Sequence, residues 1–257
     1  MTNQVTGHIR KMTSQLIDGQ VHYQLPIGEQ SLDLMPLIGK QLELTFTGNI
    51  NCQECGSKTK KSYSQGFCYP CMISLAKCDM CIMKPETCHF DQGTCREPEW
   101  GEKNCFVDHY VYLANTTAIK VGITRQRVKP LTHCDTDNTI HGHCITRWID
   151  QGANQALPIV RVNTRLQSGL VEIALAEFIG DKTNWRNMLK GKADPIDLKA
   201  RAAELIPQIS EKLDGLRLKF GDDAIQLLDE DVLEIDFPVL EYPTKISSLS
   251  FDKNKKE

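Results

Sequence analysis

The chain has 257 residues, of which 40% are hydrophobic and 25% are charged, and its formal net charge is −3. This composition is ordinary for a globular protein of one large or two modest domains, and the net charge excludes a broadly basic nucleic-acid binder. No run of 18 apolar residues occurs, which excludes a membrane-spanning helix. The N-terminal MTNQVTGHIRKM lacks the apolar stretch of a signal peptide, so we expect a cytoplasmic protein without a membrane partner.

Charge is distributed unevenly along the chain. Residues 106–190 carry ten Lys and Arg against seven Asp and Glu, whereas residues 191–257 carry ten against fifteen. A modestly basic middle beside an acidic tail allows a phosphate-binding face in residues 106–190.

The first 50 residues are expected to form a β-rich cap. The segments VHYQLPIG and KQLELTFTG alternate apolar and polar side chains, and glycines separate them.

Nine of the 11 cysteines lie between Cys52 and Cys105, which defines a cysteine-rich module over residues 51–105. In a reducing compartment such clusters favour metal over disulfides. Two Cys-x2-Cys pairs are separated by twelve residues, and they supply Cys52, Cys55, Cys68 and Cys71. Each pair presents two thiolates to one ion, so we predict a structural, zinc-ribbon-like site; an iron–sulfur site or free thiols are the alternatives.

A second set of cysteines follows and offers more ligands than one ion needs. We choose Cys78, Cys81, Cys88 and Cys95 for a second structural zinc ion, with Cys105 or His89 able to replace a member. A third group of candidate ligands resembles a metal site only in composition, and a solvated loop is the favoured interpretation of it. Its members are His133, Cys134, His141, His143 and Cys144.

After the cysteine-rich module, the sequence pattern predicts a small α/β domain over residues 106–190. A strand over residues 110–114 and a second over 119–123 predict a hairpin, and residues 159–162 predict a third strand. Residues 126–146 are expected to be a loop and residues 147–156 a short helix. Ser168 is the expected N-cap of a helix over residues 170–179. A helix over 195–220, kinked by Pro207, and a β-rich tail complete residues 191–257.

The hairpin resembles the core of the GIY-YIG nucleases. In that family GIY lies on the first strand and YIG on the second, with an Arg on the following helix and a Glu on a later helix. Here Tyr110-Val111-Tyr112 and Lys120-Val121-Gly122 occupy those places, although Tyr110 and Lys120 depart from the motif. The resemblance implies that Arg147 of RWIDQGA is the helix arginine and Glu172 of GLVEIALAEF the metal ligand.

The resemblance also implies the chemistry of such a site. Tyr112 would act as or position the base, and Glu172 would hold Mg²⁺, which prefers oxygen ligands. Arg147, with Lys120 beside it, would bind the phosphate.

A wider resemblance covers nearly the whole chain. The segments CDMCIMKPETCHFDQGTCREPEWGEKNC, HYVYLA, KVGITR, RWIDQGA and DKTNWRNML resemble an uncharacterised bacterial family of conserved hypothetical proteins that join a cysteine module to this core. Members continue with β structure past the equivalent of DKNKKE, which implies a longer chain.

The expected fold class is therefore α+β: a β-rich cap, a zinc-ribbon-like module, a small GIY-YIG-like α/β domain, and a C-terminal helix with a β-rich tail. Two functions follow from the resemblance: a Mg²⁺-dependent endonuclease on DNA or RNA, and a non-catalytic nucleic-acid-binding protein on a degenerate scaffold. A protein-interaction module is the third hypothesis. The sequence leaves the oligomeric state open.

Overall fold

The computed structural model of the protein describes residues 4–64, 66–126 and 140–248, with the backbone alone for residues 140–144. The first β-sheet is an antiparallel meander near the N-terminus. Its strands are β1 (Thr13–Ile17), β2 (Gln20–Ile27) and β3 (Gln30–Asp33). Gly19 and Gly28 occupy the two turns with φ of +79° and +60°, which glycine adopts without steric cost. The predicted β-rich cap is thus confirmed for the segment VHYQLPIG.

The second alternating segment behaves differently. Residues 40–48 form no strand, and Leu42 and Leu44 are 56% and 60% exposed. Alternation shows that a segment suits a half-buried sheet, but a strand also needs a neighbouring strand edge to receive its hydrogen bonds. This part of the prediction is wrong because residues 40–48 pair with no strand in the described part of the chain.

The cysteine-rich module consists of turns and short helices. The helices are α1 (Tyr69–Ser74), α2 (Met80–Met83) and α3 (Pro98–Cys105), with 3-10 turns at Ala76–Cys78, Pro85–Thr87 and Phe90–Gln92. Its buried apolar cluster is small and centres on Cys52, Phe67 and Cys68. A segment with so few apolar contacts depends on cross-links or metal for its stability.

The second sheet is antiparallel and contains the predicted hairpin. Its strands are β4 (His109–Asn115), β5 (Ile119–Arg125), β6 (Gln155–Val162), β7 (Ile225–Leu227) and β8 (Leu233–Glu234). The order is β5-β4-β6-β7, and β8 pairs with the other end of β6. The hairpin and the third strand are confirmed, and two short strands from the C-terminal region extend the sheet.

Side chains of the central strand β4 alternate between two cores. Val111 and Leu113 pack on one face with Val171 and Leu205, whereas Tyr112 packs on the other with Trp148. Within the described residues, the helices that follow β5 are α4 (Ile140–Asp150), α5 (Arg165–Ala176), α6 (Trp185–Met188), α7 (Leu198–Gln208) and α8 (Ser210–Phe220). Both faces of the strand are therefore buried, as its continuous apolar sequence requires.

Helix boundaries depart from the sequence prediction at three places. Helix α4 runs from Ile140 to Asp150 and β6 begins at Gln155. The predicted loop over 126–146 is therefore wrong at its end and the predicted helix over 147–156 is wrong at both ends, while residues 127–139 lie outside the described part. Helix α5 begins earlier than predicted because Thr164 and Gln167 form a reciprocal capping box, and Ser168 instead donates to the carbonyl of Arg165.

The third departure is the predicted helix over residues 195–220, which is two helices. Asp197 caps α7, and the break falls at Ile209 between α7 and α8. Pro207 lies inside α7, where its missing N–H removes one bond to the preceding turn.

Within the described part of the chain, none of the helices has both the length and the apolar character that crossing a bilayer requires.

Candidate functional site

Four cysteines of the module form a compact cluster. The sulfur atoms of Cys52, Cys55, Cys68 and Cys71 all lie within 4.8 Å of one another, and those of Cys55 and Cys68 are 3.7 Å apart. Sulfurs around a tetrahedral zinc ion with Zn–S bonds of about 2.3 Å are separated by about 3.8 Å. The cluster could therefore hold a zinc ion.

Local turns bring these sulfurs together. The N–H of Gly56 donates to the carbonyl of Cys52 over 3.0 Å, and Gly56 has a φ of +71°, which closes the first Cys-x2-Cys pair. In the second pair, Cys68 directly precedes α1 and Cys71 lies in the first turn of that helix. Burial raises the pKa of the Cys52 thiol, but hydrogen bonds from backbone N–H groups, that of Cys55 first, outweigh it and lower the pKa to about 6.

The remaining cysteines of the module divide between two places. Cys81, Cys88, Cys95 and Cys105 line one small cavity of about 20 Å³. Cys78, which the sequence analysis grouped with them, packs against the buried cluster around Cys52.

The third group of candidate ligands cannot be compared with the structure. His133 and Cys134 lie outside the described residues, and the side chains of His141, His143 and Cys144 are likewise outside the described part.

A second candidate site lies beside strand β5, where the segment after α5 runs along the strand. The N–H of Val121 donates to the carbonyl of Gly180 over 2.9 Å. Next to it, Lys120 is 5% exposed, and its Nζ donates to Oγ1 of Thr183 over 3.2 Å. The backbone pairing thus brings the residues after α5 next to the Lys120 side chain.

Charged groups from three elements interact at this place. Burial, reinforced by the positive charge of Arg147, lowers the pKa of Lys120 to about 8, while Glu172 and Asp181 oppose the shift. Burial and then the negative charge of Asp181 raise the pKa of Glu172 to about 7, while Lys120, Arg165 and Arg147 oppose it. The site therefore carries an acid and a base that titrate near neutral pH.

Tyr112 lies in the packed core under α4. It is fully buried, its hydroxyl donates to Oε1 of Gln151 over 2.6 Å, and its ring packs edge-on against Trp148. In this arrangement the hydroxyl holds the C-terminal end of α4 on the sheet. Lys120 and Gly122 share this face of β5, because they pair with Ala114 and Tyr112 of β4.

Sequence reasoning missed three residues of the charged site: Asp181, Thr183 and Arg165. The first two belong to the run DKTNW, whose polarity is typical of any exposed segment. Arg165 begins α5, and its Nη2 donates to the carbonyl of Ile82 over 2.5 Å, which links α5 to the cysteine module. Only the pairing of residue 180 with β5 and the start of α5 at residue 165 could have revealed them.

Comparison with known proteins gives one match. No curated protein and no solved structure matches the chain. A family model described as a protein of unknown function, DUF2797, matches residues 39–256. The match includes both the cysteine module and the charged site. Because it spans well over half of the sequence, the chain belongs to the DUF2797 family.

Proposed function

We propose that the protein is a zinc-containing enzyme that hydrolyses phosphodiester bonds of nucleic acid, with Mg²⁺, at the charged site beside β5. The observation that supports the proposal is that Lys120, Arg147 and Glu172, from a strand and two different helices, lie within electrostatic range of one another. Each of the three perturbs the ionisation of another. The GIY-YIG resemblance assigned the site to these three residues and to Tyr112, whose hydroxyl instead bonds Gln151 in the core.

The donor set at the charged site suits a hard divalent cation. Burial raises the pKa of Glu172, and Asp181 raises it further because two carboxylates within electrostatic range repel each other. Glu172, with Asp181 near it, would hold a Mg²⁺ ion, which when bound would supply the charge that polarises a phosphate and lowers the pKa of a water molecule.

The two cationic side chains, Arg147 and Lys120, have distinct roles. Arg147 is exposed, so its guanidinium is free to meet a phosphate in solution and to bind two of its oxygens. Lys120 is buried beside it, and its lowered pKa suits proton donation to the leaving oxygen. Tyr112 has a positioning part, since its buried hydroxyl bonds Gln151 at the end of α4.

The chain order of the elements supports the GIY-YIG resemblance. The first motif lies on β4 and the second on β5, Arg147 lies on the helix that follows, and Glu172 lies on a later helix. The sheet joins these elements by antiparallel pairing of β4 with both β5 and β6.

Non-catalytic binding of nucleic acid is the second candidate function. It is favoured by the burial of the Tyr112 hydroxyl, which in the resembling nucleases belongs to the motif that prepares water, and by the bond that already holds Lys120 to Thr183. On this alternative the charged site binds phosphate on a degenerate scaffold.

The deciding experiment incubates the wild type with mixed DNA and RNA, with Mg²⁺ or with chelator. Glu172→Ala is the test variant, and Glu177→Ala is its matched control, because Glu177 is an exposed carboxylate at the end of the same helix, ion-paired with Lys212 at 2.5 Å. We expect Mg²⁺-dependent cleavage by the wild type and by Glu177→Ala, and none by Glu172→Ala. Arg147→Ala should lose roughly 10²-fold or more in rate.

Other outcomes decide against hydrolysis. Retention of nucleic acid without cleavage would favour the binding function. Neither retention nor cleavage would leave a protein-interaction module. Equal trace activity in the wild type and in Glu172→Ala would mean a contaminating nuclease.

A further inference from the structure

The cavity between α2 and α3 has the composition of a second metal site. Four thiols line it from four different places: Cys81 within α2, Cys88 after the 3-10 turn at Pro85–Thr87, Cys95 after the turn at Phe90–Gln92, and Cys105 at the end of α3. All four cysteines are free and partly buried. We infer that Cys81, Cys88, Cys95 and Cys105 bind a second zinc ion through four sulfurs.

Size and packing favour a small ion over a larger ligand. The cavity has a volume of about 20 Å³, roughly the space of one water molecule. Its other walls include Phe90 and Gly101, and a Cβ atom on Gly101 would lie 3.0 Å from the Phe90 ring and 3.4 Å from the sulfur of Cys95. A residue larger than glycine would therefore push on the Phe90 ring and would touch the sulfur of Cys95.

Charge around the cavity also suits a four-thiolate zinc site. Binding releases four thiol protons and leaves a net charge of −2, which needs nearby cations. Arg165 and Arg125 lie within electrostatic range of Cys105. Arg165 is largely buried, and its Nε has no hydrogen-bond partner among the described residues, so the anionic site would compensate a buried positive charge.

A competing ligand set lies at the edge of the same cavity. Ligand atoms of Asp79, Cys81 and His89 lie within 4.8 Å of one another. Asp79 also pairs with Arg96 at 2.6 Å, whereas the 2.7 Å contact between Nδ1 of His89 and Oγ1 of Thr94 leaves Nε2 of His89 able to bind a metal. These contacts define a hydrogen-bonded ion-pair network beside the site.

The second zinc ion would fasten the module to the helix that carries Glu172. The turn that precedes Cys88 packs tightly on α5, because a Cβ on Gly169 would lie only 2.6 Å from the Cβ of Pro85. Arg165 at the start of α5 also donates to the carbonyl of Ile82, next to Cys81. A metal-bound loop would thus hold the start of α5 in place.

Native mass spectrometry of the full chain, purified without chelator, tests the site. The wild type should carry two zinc ions, and Cys105→Ala should carry one. Cys78→Ala is the matched control and should keep two, as should His89→Ala. One ion in the wild type, iron in place of zinc, two ions in Cys105→Ala, or a loss in Cys78→Ala or His89→Ala would overturn the inference.

X-ray absorption at the zinc edge of the wild type keeps the inference testable if Cys105→Ala does not fold. We expect four sulfur neighbours per zinc at about 2.3 Å and no nitrogen or oxygen shell. A shell at about 2.0–2.1 Å would assign His89 or Asp79 as a ligand and would overturn the four-sulfur site.

Discussion

Gly122 lies directly across from Tyr112 in the β4–β5 pair, and a Cβ atom on Gly122 would lie 2.6 Å from the Tyr112 hydroxyl oxygen. The ring has no room to retreat, because it is fully buried and its hydroxyl is bonded to Gln151. The glycine of the second motif is therefore required by packing, whatever the site does chemically.

Replacing that glycine should destabilise the protein. We expect Gly122→Ala to lower the free energy of unfolding by about 1–3 kcal/mol, as overpacking of a close-packed core does. Gly215→Ala is the control, since Gly215 lies in α8 with open space around it in the described structure, and alanine favours helix by up to about 1 kcal/mol. Urea unfolding measures both, and equal stability of Gly122→Ala and wild type would contradict the packing requirement.

Removing the Tyr112 hydroxyl tests whether this group has a positioning role or a catalytic role. Tyr112→Phe leaves Gln151 without its donor, and we expect a loss of about 1–2 kcal/mol in the free energy of unfolding. Cleavage by the folded fraction should change by only a few-fold, because the hydroxyl is buried away from substrate. A loss of 10²-fold or more, at unchanged stability, would instead make Tyr112 the base.

The raised pKa of Glu172 predicts how stability depends on pH. The folded state holds this proton to about pH 7, whereas the ordinary glutamate value is 4.5, so the folded protein binds more protons between these values. The stabilisation is fully present below pH 4.5 and is lost as pH rises through about 7. Glu172→Gln, neutral throughout, should therefore be more stable than wild type at pH 8 by about 3 kcal/mol.

The measurement is urea unfolding of both proteins at pH 5 and pH 8 without divalent cations. The gain of Glu172→Gln over wild type in the free energy of unfolding should be small at pH 5 and large at pH 8. For Glu177→Gln on the same helix, the difference from wild type should not change with pH. A gain in the free energy of unfolding that is equal at both pH values would contradict the raised pKa of Glu172. Adding Mg²⁺ should reduce the difference in the free energy of unfolding between Glu172→Gln and wild type at pH 8, since the ion favours the ionised carboxylate.

Loss of one ligand from the first cysteine cluster should release its metal. Cys55→Ser should reduce the bound zinc by one ion, and residues 50–75 should become sensitive to protease, because metal binding supplies the folding free energy of such a segment. The sheet around β4 should resist digestion, since its core is built from apolar residues. Zinc content measured by mass spectrometry, together with mapping of the cleavage sites, checks both statements. Unchanged zinc would remove Cys55 from the ligand set.

Much of the fold was predictable because the signals were local. The Cys-x2-Cys pairs predicted the compact cluster, since a pair at this spacing closes its own turn around Gly56. The apolar alternation of β4 and β5 predicted their hairpin. Local signals failed where a neighbouring strand was needed: residues 40–48 alternate like a strand but form no strand pairing with the described part of the chain.

By itself, the sequence determined which side chains could do chemistry and which short segments would be strand or turn. Only the tertiary structure decided which of them meet. It grouped Cys105 with Cys81 and Cys78 with Cys52, brought Asp181 to Glu172, and buried the hydroxyl of Tyr112. The reason is physical: turn geometry and alternation act over a few residues, whereas burial and long-range charge depend on how separate elements pack.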